Sequence, residues 1–208
     1  MKSVGISSIA WALTLSISLA QVTPPHAYII DSARSRVEVE VFRGGLLKVL
    51  GHDHVIKVKS FSGWVRFDPG NIGDSSVQLN IDSRSLVVLD DPNLSEQDSK
   101  HIQDTMVGAK VLDTMDFPQI TFHSTGVSRT TSSPEGLTLQ GRLNLHGVEK
   151  EIVFPVQVRS ETNGLRVAGT VVIAQTDFGI KPVKTAAGGI RVKDQVCVTF
   201  AIFAQKAN

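Results

Sequence analysis

The chain has 208 residues, with 21 lysines and arginines against 20 aspartates and glutamates, and 41% of its residues are hydrophobic. This length fits one domain with a large core, and the sequence contains no internal repeat. The balanced charge gives no electrostatic basis for binding nucleic acid or an anionic membrane surface. A single cysteine, Cys197, excludes an internal disulfide, and its apolar neighbours predict a buried, inert thiol.

The amino terminus has the pattern of a cleavable signal peptide. Lys2 precedes a mostly apolar stretch from Val4 to Ala20, which ends in the small residues that an exported-protein peptidase recognises. The alternative is a membrane anchor, but a spanning helix needs about 20 apolar residues, and this shorter stretch is interrupted by serines and threonine. We therefore expect residues 1–20 to be removed on export to the periplasm. Residues 21–208 then form a single domain with no remaining membrane span.

Alternating apolar and polar residues, typical of strands buried on one face, recur along the rest of the chain. Turn sequences such as Asp68-Pro69-Gly70 and Thr162-Asn163-Gly164 separate these segments, so neighbouring strands are expected to pair antiparallel. Such strands either close into a barrel or stack as a sandwich. We favour an all-β fold, an antiparallel β-barrel of about eight strands. The apolar sets, in chain order, are Val37, Val39, Val41; Val77, Leu79, Ile81; Leu137, Leu139, Leu143, Leu145; Ile152, Phe154, Val156, Val158; Val167, Val171, Ile173; and Val196, Val198, Phe200, Ile202.

One segment, residues 95–113, departs from this alternation. Ser95 and Asp98 resemble a helix amino-terminal box, and Ile102, Met106 and Ala109 fall at helical spacing. The spacing predicts a short helix that lies across the barrel and gives way to the next strand at Asp116-Phe117-Pro118.

The most conspicuous polar cluster is Gly51-His52-Asp53-His54, which runs directly into a strand. Strand geometry from His52 onward would place His52 and His54 on the same face as Ile56, pointing into the barrel. Two histidines at this spacing can begin a zinc site, but a stable site usually needs four ligands, and only His101 on the covering helix is expected to reach them. The alternatives are a polar contact to a ligand head group and histidines that hydrogen-bond locally at a wet rim. No motif of a known catalytic centre is present.

The order of several motifs resembles the YceI-like family of lipid- or polyisoprenoid-binding proteins. No single motif is specific, but their collinear order is, and the likeness runs from Tyr28 to the carboxyl terminus. The motifs are Tyr28-Ile29-Ile30-Asp31, Ser35-Arg36-Val37-Glu38-Val39, Phe61-Ser62-Gly63-Trp64-Val65-Arg66-Phe67-Asp68, Asp113-Thr114-Met115-Asp116-Phe117-Pro118-Gln119-Ile120-Thr121-Phe122, Gly141-Arg142-Leu143-Asn144-Leu145-His146-Gly147-Val148-Glu149-Lys150 and Asp177-Phe178-Gly179.

The resemblance implies an extended lipocalin-like barrel whose tunnel holds an isoprenoid lipid, such as a quinone or a polyprenyl phosphate, in the periplasm. It also implies a homodimer. Two departures concern the head group: the segment Asp98 to Ile102 keeps the family's His at position 101 but lacks its Arg, and the Gly51–His54 sequence replaces a single His.

These observations lead to the hypothesis of a non-enzymatic carrier or reservoir that requires no cofactor or metal. We predict that polar groups at the mouth, His52, His54, His101 and Lys184, contact the head group. The alternatives are a metal-dependent function at the His52/His54 pair, and a solid barrel that acts through protein contacts with a membrane redox partner. The predicted tunnel lining comprises Phe42, Ile56, Phe67, Leu79, Ile102, Met106, Phe122, Phe154 and Phe200.

Overall fold

The computed structural model describes residues 26–44, 53–89, 91–92, 94–130, 136–184 and 191–207. The predicted signal peptide lies outside the described residues. The described residues form ten strands and one α-helix, all within the predicted fold class. In chain order these are β1 (His26–Gly44), β2 (His54–Val58), β3 (Phe61–Phe67), β4 (Ser76–Asp82), β5 (Leu86–Val88), α1 (Glu96–Val107), β6 (Gln119–Arg129), β7 (Gly136–Leu145), β8 (Val148–Glu161), β9 (Gly164–Ala174) and β10 (Arg191–Lys206).

The sheet closes into a barrel of eight antiparallel strands, as predicted. Neighbours around the ring follow the order β1, β10, β9, β8, β7, β6, β4, β3 and back to β1. Closure depends on the pairing of β1 with β10, which joins the first and last described strands from Tyr28↔Lys206 to Gly44↔Arg191. Because the ring has no free edge along this ladder, the sandwich alternative is wrong.

Two further strands extend the ring on one side. The first residues of β1 pair with β3, whereas Glu38–Val41 pair with β2, which in turn pairs with β5. Helix α1 covers the outer edge of β5 through Gln103, whose side-chain amide donates to the carbonyl of Leu86 and accepts from the backbone N–H of Val88. The side chain of Gln103 thus satisfies backbone groups that would otherwise be open on an edge strand.

Helix α1 is shorter than predicted at its carboxyl end. The hydroxyl of Ser95 accepts a hydrogen bond from the Asp98 N–H, so the helix begins at the predicted cap. It ends at Val107, where Gly108 leaves helical geometry, and the following residues form turns until β6 begins at Gln119.

Cys197 lies on the outer face of the barrel. Cys197 lies on β10 between Val196 and Val198, which face inward, and its side chain is only partly covered. The prediction of a buried thiol is therefore wrong, because the alternation of the strand turns position 197 away from the interior.

Glycine at position 141 of β7 makes room for an inward-facing phenylalanine. A Cβ added to Gly141 would lie 2.5 Å from the backbone oxygen of His123 and 2.5 Å from the Phe122 ring. The Phe122 ring therefore lies over the glycine of the neighbouring strand. Gly169 of β9 leaves similar room for Phe200, 2.7 Å from where its Cβ would be.

We expect Gly141→Ala to lower the free energy of unfolding by about 1–3 kcal/mol, because the methyl group forces the Phe122 ring or the β6 backbone to move. Urea unfolding at equilibrium measures the change. Gly126→Ala is the matched control on β6, since its Cβ would meet nothing closer than 3.7 Å. Equal stability of the two variants would contradict the role of Gly141 in making room for Phe122.

Candidate functional site

The interior of the barrel is a cavity of about 1280 Å³. This exceeds the range of about 300–1,000 Å³ usual for small-molecule pockets. Inward-facing side chains of all ten strands border it, together with one face of α1. The interpretation of a solid barrel is therefore wrong: the inward residues line a space and do not fill it.

All nine side chains that the sequence assigned to a tunnel border this cavity. Leu79, Phe122 and Phe154 reach it by strand alternation, and Ile102 and Met106 reach it from α1, next to Thr105. Their position agrees with the sequence analysis, and their role in holding a ligand stays a prediction.

Phe42 borders the cavity for a different reason. The register of β1 against β10 shifts between Val41 and Arg43, so the strict alternation of the strand is interrupted there. Val41, Phe42 and Arg43 all border the cavity as a result. The Lys193 ammonium lies 5.6 Å from the Phe42 ring centroid, which is a cation–π distance.

Three phenylalanine rings form a continuous aromatic wall within the cavity. The centroids of Phe122 and Phe154 are 5.6 Å apart, and those of Phe154 and Phe200 are 6.0 Å apart with the planes nearly perpendicular. These spacings are typical of stable aromatic pairs. Because the rings come from β6, β8 and β10, they also tie alternate strands of the barrel together.

The polar side chains of the lining concentrate at the two ends of the cavity. At one end, which we call the mouth, β1 ends, β10 begins and α1 crosses; the other end holds Arg66, Ser75 and Ser76. Between the ends the described lining is apolar. The cavity therefore suits a ligand with a long apolar body and a polar terminus.

The predicted head-group residues lie at the mouth where the structure describes them. His54 is the first residue of β2 and pairs with Val41, His101 lies on α1, and Lys184 pairs with Arg191 at the start of β10. All three border the cavity. His52 lies outside the described residues, so its predicted contact stays untested.

The metal hypothesis gains no support from the described part of the chain. Among those residues no group of three or more His, Cys, Asp and Glu side chains is close enough to hold a metal ion. His54 already interacts with other groups of the protein. Stoichiometric zinc in protein purified without an affinity tag, lost on substitution of His52 and His54, would be needed to support a metal site.

Sequence reasoning missed several polar residues of the mouth. His146, which the sequence analysis did not assign to the mouth, also borders the cavity: its ring packs against Phe117 at a tilt of 55° with 4.5 Å between centroids, and its Nδ1 lies 3.3 Å from the Phe178 carbonyl. Gln175 also borders it, and its side-chain amide donates to the Lys193 carbonyl. Both residues follow the end of a strand, where alternation no longer predicts which way a side chain points.

Two carboxylates next to strand ends at the mouth, Asp53 and Asp194, are engaged in hydrogen bonds. Asp53 accepts a hydrogen bond from the Arg43 backbone N–H at 2.8 Å, and the Arg43 Nε lies 3.9 Å from the same oxygen. Asp194 accepts from the Thr176 hydroxyl at 2.7 Å and the Thr176 N–H at 2.9 Å, and these hydrogen bonds hold the pKa of Asp194 below its usual range. Neither carboxylate borders the cavity.

No helix in the described ranges combines the length and the apolar character that crossing a membrane requires.

Similar proteins share both the fold and the sequence pattern. A UPF0312 protein of Vibrio cholerae is 32% identical over 180 residues, which cover 83% of this chain and 87% of that protein. The crystal structure of BcnA from Burkholderia cenocepacia superposes with a TM-score of 0.67 at 22% identity, over 85% of this chain and 99% of that one. A polyisoprenoid-binding domain from Saccharophagus degradans gives a TM-score of 0.59 at 15% identity, over 88% and 99%. The YceI-like domain matches residues 28–204, and the chain therefore belongs to the YceI-like family.

Proposed function

We propose that this protein is a non-enzymatic binding protein that holds a long-chain isoprenoid lipid, of quinone or polyprenyl type, in the barrel interior. The observation that carries the proposal is the cavity of about 1280 Å³, apolar between its ends and polar at its mouth. The polyisoprenoid-binding domain of similar fold supports this choice of lipid. The tail is held by the nine predicted lining residues, and His52, His54, His101 and Lys184 meet the head group.

Apolar burial supplies the affinity for such a ligand. Each buried methylene contributes about 0.8 kcal/mol, so a five-carbon isoprene unit contributes about 4 kcal/mol. Association itself costs about 4–15 kcal/mol, which the first few units offset. Affinity therefore grows with chain length, and short prenyl chains bind weakly.

Binding by apolar burial also suits a carrier or a reservoir. A prenyl tail in a membrane is already out of water, so its transfer into an apolar barrel changes its hydration little. Exchange between the two environments is then nearly balanced in free energy, and the protein can both take up and release the lipid.

A chain-length series tests the proposed ligand class. We expect solanesol to bind at least tenfold more tightly than farnesol, because each additional isoprene unit buries more apolar surface. Competition for a fluorescent apolar probe in the purified barrel measures both affinities. Failure of every prenyl alcohol to compete would contradict the proposal.

Export to the periplasm is the second part of the proposal. We expect the protein recovered from the periplasmic fraction to begin near Gln21, as the signal-peptide pattern predicts. Amino-terminal sequencing of that fraction measures the start. A full-length chain retained in the cytoplasm would contradict export. The homodimer implied by the family resemblance and the membrane redox partner, which was considered separately, stay predictions.

A further inference from the structure

The ionised side chains that border the cavity are all basic within the described part of the chain. Six lysines and arginines contribute to the lining, and no described aspartate or glutamate does. The whole chain has 21 basic and 20 acidic residues, so composition alone would give a mixed lining. The two signs of charge are therefore separated in space: basic side chains border the cavity, and the described carboxylates lie elsewhere.

Five of these six basic residues lie at the mouth. They are Arg43, Lys110, Lys181, Lys184 and Arg191. Backbone pairing places three of them side by side: Gly44, next to Arg43, pairs with Arg191, and Arg191 pairs with Lys184. The Val192 N–H donates to the Val183 carbonyl at 2.9 Å and fixes this arrangement.

Most of these cations have no acidic partner among the residues that the structure describes. Arg43 is paired with Asp53. In the ranges that the structure describes, no carboxylate lies within salt-bridge distance of Lys110, Lys181, Lys184 or Arg191. The positive charge of the mouth is therefore available to a ligand.

We propose that the mouth selects lipids with an anionic head group, a phosphate, diphosphate or carboxylate, over lipids with a neutral one. This inference rests on the proposed function, because it assumes that an apolar tail occupies the interior. Lys184 and Arg191 make the principal contacts: they sit on paired backbone at the rim, and an arginine fork matches the oxygens of a phosphate or carboxylate. The inference favours a prenyl phosphate over a quinone.

Matched ligands with one tail separate the head group from the chain. The probes are geranylgeraniol, geranylgeranyl monophosphate and geranylgeranoic acid, measured by competition with the same fluorescent probe. We expect the monophosphate to bind at least tenfold more tightly than the alcohol, and added salt to reduce the ratio because the contacts are exposed. The acid separates the two sources of the anion: tight binding of both anionic probes indicates general anion recognition, and tight binding of the monophosphate alone indicates a phosphate site.

Charge-removal variants locate the preference. The ratio of monophosphate to alcohol affinity is expected to fall to nearly one in a Lys184→Gln/Arg191→Gln double variant. The control is Lys57→Gln/Lys59→Gln, which removes the same net charge from side chains that do not border the cavity and keeps the ratio. Arg66→Gln removes a charge at the opposite end of the cavity, and this variant is also expected to keep the ratio of monophosphate to alcohol affinity.

The outcomes separate this inference from the proposed function. If the alcohol and both anionic probes bind equally well to the native chain, anion selection is wrong and lipid binding stands. Loss of the preference in Arg66→Gln, or in the Lys57/Lys59 control, would overturn its assignment to the mouth. If no probe binds, the proposed function itself fails.

Discussion

The Val171→Trp variant is expected to bind solanesol about a hundredfold more weakly than the native chain. Val171 lies on β9, borders the cavity and is only half-buried, so an indole placed there extends into the space that the tail would occupy. Excluding about four methylenes from the cavity removes about 3 kcal/mol of apolar burial, which corresponds to about two powers of ten in affinity. Competition for a fluorescent apolar probe measures the loss.

The neighbouring residue provides a matched control. Val172 faces outward and is 57% exposed, so Val172→Trp adds the same indole to the same strand without entering the cavity. We expect this variant to retain native affinity and native stability. Equal losses of affinity in the two variants, or none in either, would show that the tail does not lie in the barrel interior.

The second large effect is expected on stability. Phe154→Ala removes the central ring of the aromatic wall, which is 7% exposed and contacts both Phe122 and Phe200. Truncation of a buried phenylalanine lowers the free energy of unfolding by about 3–5 kcal/mol, because the surrounding structure collapses only partly into the space. Urea unfolding of the ligand-free protein measures the change.

Val153→Ala is the control for this truncation. Val153 precedes Phe154 on β8, faces outward and is 60% exposed, so its loss is expected to change stability by less than about 0.5 kcal/mol. Unfolding free energies within experimental error of each other for the two variants would contradict the role of the aromatic wall.

Strand alternation predicted most of the fold because it depends only on which face of each strand is dry. The apolar sets beginning at Val37, Val77 and Leu137 all face the interior of the barrel. The closing ladder between β1 and β10 could not be read this way, because pairing between the two ends of the chain leaves no local pattern. The divergence of β2 and β5 from the ring could not be predicted either, because one long strand, β1, pairs with different partners along its length.

Alternation also could not decide whether the barrel is hollow. A pattern of inward residues fixes a face, whereas the volume left inside depends on how the strands are tilted and staggered. The resemblance to a lipid-binding family favoured a tunnel, and the geometry of the described residues agrees with it.

The mouth was the least predictable part of the site. His54 and His101 follow from strand and helix periodicity. Lys110 lies in the turn after α1 and Arg191 is the first residue of β10, and at such positions side-chain direction depends on tertiary contacts. The segregation of basic residues around the cavity is likewise invisible in the sequence, where the two signs of charge are nearly equal in number.

The most direct test of lipid binding uses the protein as the cell makes it. The exported chain, purified without detergent, is extracted with organic solvent, and the extract is analysed by mass spectrometry. We predict about one long-chain isoprenoid lipid per barrel, and less lipid per barrel in an extract of Val171→Trp. An extract with no isoprenoid, from a protein that also shows no affinity for prenyl chains, would contradict the account.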